Sequence, residues 1–237
     1  MDEYFKKIAE LTDLKQNKPL NEIVYEGLRN AIIQGYIPVG ERINESIYSQ
    51  KMNISRTPVR EALRRIQQEG LVEYVPRLGV VVKKITIDDA KEIYQIRMAL
   101  DILAATNAMR KMTEDQFEEM YKLLEETQKA NDAEEVQKVV DLSRDFNDMI
   151  YEFAEMPRLE SIVHKLREFL VRFRDMSLRG EERRKKALEE HWLIYKNMKN
   201  KNFDAIALII QEHLEYSEEF IYDAMRKLEK VESEKEI

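Results

Sequence analysis

Residues 55–70 read Ser-Arg-Thr-Pro-Val-Arg-Glu-Ala-Leu-Arg-Arg-Ile-Gln-Gln-Glu-Gly, and they predict a short helix with one apolar and one cationic face. Ser55 is suited to cap the start of this helix, and Gly70 is suited to the position just beyond its end. Four apolar residues recur at helical spacing and should pack inward: Val59, Ala62, Leu63 and Ile66. Three basic residues four positions apart share another face: Arg56, Arg60 and Arg64.

The segments on either side of this helix predict a winged helix-turn-helix. Upstream, residues 19–35 form an amphipathic helix, and a second short helix begins after a turn at Asn44, a good N-cap. Downstream, two β-rich runs at 71–75 and 80–83 flank Pro-Arg-Leu-Gly and predict a hairpin, with Gly79 able to adopt positive φ in its turn. A recognition helix of this kind presents its N-terminal end to DNA, where free N–H groups and the helix dipole also favour phosphate.

Composition divides the chain into two parts with different tasks. Residues 18–84 carry 11 basic and 7 acidic side chains, whereas residues 85–237 carry 25 basic and 35 acidic ones. The basic part should attract a polyanion, and the acidic part should repel it. Five of the six glycines and four of the five prolines precede residue 80, so the second part should consist of long helices. The chain has no cysteine, which excludes disulfides and fits a reducing cytoplasm.

These patterns predict a mainly α fold with two domains. We expect a winged helix-turn-helix domain at residues 18–84 and an all-helical antiparallel bundle of about six helices at residues 85–231. Residues 1–17 should form an arm or a short helix, and residues 232–237 should form a frayed tail. No apolar run approaches the ~20 residues that a bilayer-spanning helix needs.

The N-terminal motif resembles the DNA-binding domain of the GntR family of bacterial transcription regulators. The likeness covers about residues 18–84 and rests on the Ser-Arg-Thr-Pro-Val-Arg-Glu-Ala-Leu core together with the order and spacing of the elements around it. In that family, the start of the recognition helix and the tip of the wing contact the operator. The resemblance therefore implies a set of DNA-binding positions in this sequence: Ser55, Arg56, Thr57, Arg60, Arg64, Arg77 and Gly79.

A second group of residues is polar but lies on the apolar faces of four predicted bundle helices. The group comprises Arg97, Ser143, Asn147, His191 and His213. Buried cations and histidines need partners, because unpaired burial is costly. We therefore expect these residues to share one polar cavity, although each could instead be satisfied separately within the core. Arg172 and Arg174 could also contribute, but the pattern does not decide which way they face.

The helical part resembles the FCD effector domain of the FadR-like branch of GntR regulators, in its shorter, VanR-type form with six helices. That domain often holds a metal through an Asp and a His four residues apart and two further His on its last two helices. His191 and His213 match the last two positions, but Ser143 and Asn147 stand at the first two and offer only weak neutral ligands. A divalent metal such as Zn or Ni, held by the two histidines with Asn147, remains one possibility. The alternative is a metal-free pocket in which Arg97 binds a carboxylate directly.

The sequence thus predicts a cytoplasmic, ligand-responsive DNA-binding transcription regulator and not an enzyme. We expect a repressor that binds a pseudo-palindromic operator as a homodimer and a small organic acid as its effector. A metal-dependent helical enzyme is disfavoured because neither His191 nor His213 has Glu three residues before it, and because no P-loop or nucleophile motif occurs. A protein-binding adaptor is disfavoured by the spacing of the arginines and by the uneven charge.

Overall fold

The computed structural model describes residues 17–235, which form ten helices and a two-stranded sheet. Their contacts divide the chain between Thr86 and Ile87 into two compact units. The predicted fold class, a winged helix-turn-helix followed by an all-helical bundle, is confirmed. The arm expected over residues 1–17 lies outside the described residues except for its last position, as do positions 236 and 237 of the expected tail.

The first unit contains three helices and the hairpin that follows them. Its elements are α1 (Leu20–Ile33), α2 (Glu45–Lys51), α3 (Arg56–Gln68), β1 (Val72–Val75) and β2 (Gly79–Val82). Asn44 caps α2, since its Oδ1 accepts hydrogen bonds from the backbone N–H of Ser46 at 2.9 Å and of Ile47 at 3.3 Å. Gly70 follows α3 with a φ of +79°, as its position beyond the helix end predicts.

The core of the first unit lies between α1 and α3. Val24 and Leu28 of α1 and Val59 and Ile66 of α3 are fully buried, which is the apolar face that the sequence pattern predicts. Each such side chain contributes about 1.5–3 kcal/mol by leaving water. The opposite face of α3 stays exposed.

The wing is an antiparallel hairpin in which Val72 pairs with Val82 and Val75 pairs with Gly79. Two residues of its turn have left-handed backbone, Arg77 with a φ of +71° and Gly79 with a φ of +92°. The second is the position at which the sequence predicts positive φ. Arg77 adopts left-handed backbone at an energetic cost, because it carries a side chain.

The second unit is a bundle of seven helices. They are α4 (Ile87–Lys111), α5 (Glu114–Asp132), α6 (Val136–Ala154), α7 (Pro157–Phe169), α8 (Val171–Leu178), α9 (Glu181–Lys199) and α10 (Phe203–Lys235). Thr113 and Gln116 form a capping box at the start of α5. The long helix α4 packs against both α6 and α10, and its small, fully buried residues Ala104 and Ala108 allow this close approach.

One helix boundary differs from the sequence prediction. The bundle has seven helical segments where the sequence predicts about six, because the helical stretch from Pro157 to Leu178 breaks at Leu170. The amide of Leu170 bonds the carbonyl of Arg167, three residues back, which tightens the helix locally. Leu170 is buried at this break between α7 and α8. Within residues 17–235, no helix has the length and apolarity that crossing a membrane requires.

Candidate functional site

The N-terminal part of α3 forms an exposed surface on the first unit. All five residues that the sequence assigns to DNA contact on this helix are exposed: Ser55, Arg56, Thr57, Arg60 and Arg64. Ser55 occupies the N-cap position but makes no capping hydrogen bond, so its hydroxyl and the first N–H groups of the helix remain available to a ligand. Arg60 pairs with Glu45 at 3.1 Å, yet two thirds of its side chain is exposed. Arg56 and Arg64 form no ion pair with the described residues.

Arg65 follows Arg64 in sequence, but its side chain contacts α1 within the protein. Its guanidinium lies 2.5 Å from the carboxylate of Glu22 on α1 and 3.7 Å above the centre of the Tyr25 ring. The hydrogen bond from Arg65 lowers the pKa of Glu22. Arg29 and Tyr25 also bond Glu69 at the C-terminal end of α3. These contacts join α1 to the end of α3 and leave the cationic face at its start free for DNA.

The tip of the wing places Arg77 in solvent, next to Gly79. The hairpin also exposes two large apolar side chains that sequence reasoning did not single out, Tyr74 at 65% and Leu78 at 53%. Alternation along β1 could not have indicated Tyr74, because Tyr74 follows the exposed Glu73 and should share a face with the buried Val72. The wing therefore presents a cation beside an apolar surface, which suits contact with a nucleic acid groove and backbone.

In the second unit, one cavity gathers polar side chains from several helices. The five residues that the sequence assigns to an effector site all line it: Arg97, Ser143, Asn147, His191 and His213. They come from α4, α6, α9 and α10, so the prediction of one shared cavity agrees with their placement. Three further arginines line this cavity: Arg174, whose facing the sequence left undecided, and Arg167 and Arg183, which sequence reasoning did not assign. Arg172 does not line it.

Arg97 is not the free cation that the sequence suggests. Its guanidinium donates to Asp101 at 2.9 Å, and the other oxygen of Asp101 accepts a hydrogen bond from the Tyr151 hydroxyl at 2.8 Å. Burial acts to lower the pKa of Arg97, but Asp101, Tyr151 and Tyr94 together outweigh it and raise that pKa. Arg97 therefore keeps its charge and shares it with a buried carboxylate. Its Nε atom is buried and has no hydrogen-bond partner among the described residues.

The two histidines lie side by side, with 5.3 Å between their ring centres. His191 stacks on Phe146 at 4.3 Å, and its Nδ1 is buried without a hydrogen-bond partner among the described residues. Burial, followed by the proximity of His213 and Arg183, places the pKa of His191 well below its ordinary value. His191 is therefore a neutral imidazole at physiological pH.

His213 belongs to a different arrangement, because its Nδ1 lies 2.8 Å from the carboxylate of Glu190. The same carboxylate oxygen accepts a hydrogen bond from Arg183 at 3.2 Å. Sequence reasoning missed Glu190, and it had no signal to follow, because this carboxylate is buried on a charged stretch of α9. On α6, the Asn147 amide donates to the carbonyl of Ser143 at 2.7 Å, which leaves its oxygen free of protein partners among the described residues.

Arg167 and Arg174 form the third side of the cavity, at the break between α7 and α8. Arg167 pairs with Asp148, and Arg174 donates to Asp175 at 3.1 Å. Burial, together with the neighbouring charge of Arg167, lowers the pKa of Arg174 to about 10. Arg174 is therefore the cavity cation whose charge is least compensated by the protein.

The residues of this cavity do not fit a divalent metal. Across residues 17–235, no three His, Cys, Asp or Glu side chains come together as metal ligands. Besides His191 and His213, the proposed ligand set offers only the neutral amide of Asn147. Four guanidinium groups line the same cavity, and their positive charge would repel a metal cation. The nearest acids are already bonded to these guanidinium groups. The arrangement is suited to an anion.

Comparison with known proteins agrees with both units. Residues 20–82 match the bacterial regulatory proteins of the gntR family, and residues 92–216 match the FCD domain. The HTH-type transcriptional regulator YdhC of Bacillus subtilis is 29% identical over 209 residues, which cover 87% of this chain and 93% of YdhC. The HTH-type transcriptional repressor RspR of Escherichia coli is 26% identical over 204 residues, covering 86% of this chain and 90% of RspR.

Among solved structures, E. coli McbR/YncC superposes with a TM-score of 0.67 at 22% sequence identity, covering 87% of this chain and 98% of that one. At this level of sequence identity, the likeness shows a shared fold.

Proposed function

The chain belongs to the gntR family of bacterial regulatory proteins and carries an FCD domain, so it is a DNA-binding transcription regulator, and from this premise we propose that it is a repressor controlled by a small organic acid. It acts in the cytoplasm, where its DNA is. The name of the E. coli relative RspR, a transcriptional repressor, supports repression rather than activation.

The DNA contacts come from the start of α3 and from the wing. Arg56 and Arg60 stand nearest the N-terminus of α3 and read base edges, with Ser55 and Thr57 beside them on the phosphates. Arg64 lies farther along the helix and contacts the backbone of the duplex. Arg77 reaches the flanking groove from the wing, and Gly79 permits the turn that places it there. The exposure of these residues supports this assignment.

We propose that the regulator acts as a homodimer. One 13-residue recognition helix reads only one half-site, so a pair of headpieces related by a two-fold axis is needed to read a pseudo-palindromic operator. On α4, the exposed apolar side chains of Ile96 and Leu103 lie seven residues apart and so share a face, which is available to a second copy.

The proposed response to an effector rests on one observation, the polar cavity of the second unit. Five polar residues from four helices meet there, together with three further arginines, and three of these lining residues carry a buried nitrogen atom that has no partner among the described residues. Buried polar atoms of this kind are rare in proteins unless water or a ligand satisfies them. We propose that an organic anion satisfies them without a metal, and that its binding changes the spacing or mobility of the two headpieces.

Selection of binding sites from random duplex DNA tests the proposal. The purified protein should enrich two inverted half-sites about one or more helical turns apart. The variant Arg56→Ala/Arg60→Ala should lose that enrichment, because each base contact is worth about 1–3 kcal/mol. Gln67→Ala, at the exposed far end of α3, is the matched control and should retain it.

Light scattering of the protein on a selected operator gives the number of chains bound. Enrichment of a single asymmetric site by a monomer would contradict the homodimer. Unchanged affinity of the double arginine variant would show that the DNA contacts lie elsewhere.

A further inference from the structure

A short extended segment before α2 lies against the wing and adds a third row of backbone to it. Residues 40–43 run antiparallel to β2 and are joined to it by three backbone hydrogen bonds of 2.9–3.0 Å. Within this segment Arg42 pairs with Val81, which on its other side pairs with Glu73 of β1. Residues paired directly across strands share one face of a sheet, so the backbone fixes Arg42 on the face of the wing that carries Val81.

The side chain of Arg42 extends toward the turn of the wing. Its Nε atom lies 3.8 Å from the position that a Cβ atom would take on Gly79. Gly79 stands two residues before Val81 on β2 and therefore lies on the same face of the sheet. A side chain at position 79 would begin in contact with Arg42. The absence of one leaves the surface over the turn to the Arg42 guanidinium.

Arg42 is an exposed cation that forms no ion pair with the described residues. Glu73, the acid on the same face, lies two strands away, which places its backbone about 9–10 Å from that of Arg42. Arg77, in the turn that Arg42 covers, is exposed and also forms no ion pair within the described part of the chain. Two cations held at one turn without a counter-ion repel each other, and a polyanion is the partner that removes this cost.

The position of Arg42 relative to the tip indicates which part of a duplex it meets. Arg77 is at the tip, whereas Arg42 pairs with a residue two positions beyond Gly79, about 7 Å back along the strand. The minor groove of DNA is only about 6 Å wide, so phosphates border a hairpin tip that enters it. A cation set back from the tip therefore lies at the height of the phosphates and not of the base edges.

We propose that Arg42 is a DNA contact of the wing and that its guanidinium binds a backbone phosphate beside the groove that Arg77 reaches. This inference rests on the proposed DNA binding of the first unit. It adds a contact from a segment that belongs neither to α3 nor to the hairpin. Phosphate contacts position a protein on the duplex without reading its sequence, so Arg42 fixes the placement of the wing.

Fluorescence anisotropy of the full chain on a selected operator and on a duplex of scrambled sequence, over a series of NaCl concentrations, tests this role. Arg42→Gln should reduce the slope of log K against log[NaCl] by about one for each bound chain. It should weaken binding to both duplexes by the same factor, about tenfold at low salt. Arg56→Ala should instead weaken binding to the operator more than binding to the scrambled duplex.

Three further variants serve as controls. Lys18→Gln removes the same charge from a cation that Glu26 already pairs at 2.8 Å, so it should leave the salt slope unchanged. Arg42→Lys keeps the charge and should restore the slope. Arg42→Met retains a long unbranched chain on the sheet and should lose the slope as Arg42→Gln does, which keeps the test valid if Arg42→Gln fails to fold.

Three results would overturn the inference and leave the regulator intact, provided that Arg56→Ala still loses operator affinity. An unchanged salt slope in Arg42→Gln and Arg42→Met would remove the phosphate contact. An equal loss of slope in Lys18→Gln would reduce the effect to net charge. A loss confined to the operator would move Arg42 from the phosphates to the base edges. Failure of the proposed function looks different: the unaltered protein would bind operator and scrambled duplex equally, and this inference would fall with it.

Discussion

Replacing Arg97 by Gln is expected to destabilise the helical unit strongly, because it leaves Asp101 buried without its ion-pair partner. Arg97 and Asp101 are 8% and 7% exposed, their side chains meet at 2.9 Å, and only the Tyr151 hydroxyl at 2.8 Å would still bond the carboxylate. Breaking a buried pair in this way costs about 3–5 kcal/mol. For a unit of this size, that corresponds to a fall of about 6–20 °C in Tm.

Thermal and urea unfolding of the full chain, followed by circular dichroism, measures this loss. The double variant Arg97→Gln/Asp101→Asn removes both charges and leaves two neutral amides that can bond each other. It should be more stable than Arg97→Gln alone, with a coupling energy of about 0.5–3 kcal/mol between the two positions. A loss below about 1 kcal/mol in the single variant would be typical of an exposed pair and would refute the buried pairing. Arg97 would then be free to bind the effector, as the sequence alone suggested.

Three further predictions follow from other parts of the molecule. Arg65→Ala should lower the stability of the DNA-binding unit, measured by urea unfolding, whereas Arg56→Ala should leave stability unchanged and weaken operator binding; the reverse pattern would exchange their roles. The depressed pKa of His191 means that the unfolded chain binds more protons below about pH 6.5, so stability should fall as the pH drops from 7 to 5. His191→Phe should reduce this fall in Tm and a variant of the partly buried His164 should not; equal pH dependence in both would contradict the buried neutral imidazole. Gly79→Ala, at a φ of +92°, should cost about 1 kcal/mol in unfolding experiments and weaken DNA binding through the wing; a stabilised variant would mean that the turn adopts another conformation.

The first unit could be predicted almost entirely from sequence because its signals are local. Asn44 caps the helix that follows it, Gly70 and Gly79 take the left-handed backbone that few other residues accept, and the apolar face of α3 shows its period within 13 residues. Each of these signals acts within one helical turn or one hairpin. Arg65 is the exception, because its pairing with Glu22 joins two helices 43 positions apart in sequence.

The cavity could be predicted only in part, because only its local signals can be read from the sequence. A polar residue on an apolar stripe is visible in sequence, and that signal identified Arg97, Ser143, Asn147, His191 and His213 as neighbours. Arg167 escaped it, and the facing of Arg174 stayed undecided, because the sequence has no Gly or Pro at the break between α7 and α8. The break at Leu170 decides which side of α8 faces the cavity, so Arg174 and not Arg172 lines it.

The neutral residues at positions 143 and 147 and the arginines around the cavity are consistent with each other physically. In the FCD pattern that this chain resembles, an Asp and a His at these positions help to hold a cation, which can in turn bind a carboxylate. Here the positive charge is built into the protein as guanidinium groups. An Asp at position 143 would face these groups and compensate the charge that Arg174 keeps for a ligand, so a neutral serine preserves the anion site. We therefore infer that the neutral residues at positions 143 and 147 and the four arginines act together to let the protein bind an organic anion without a metal.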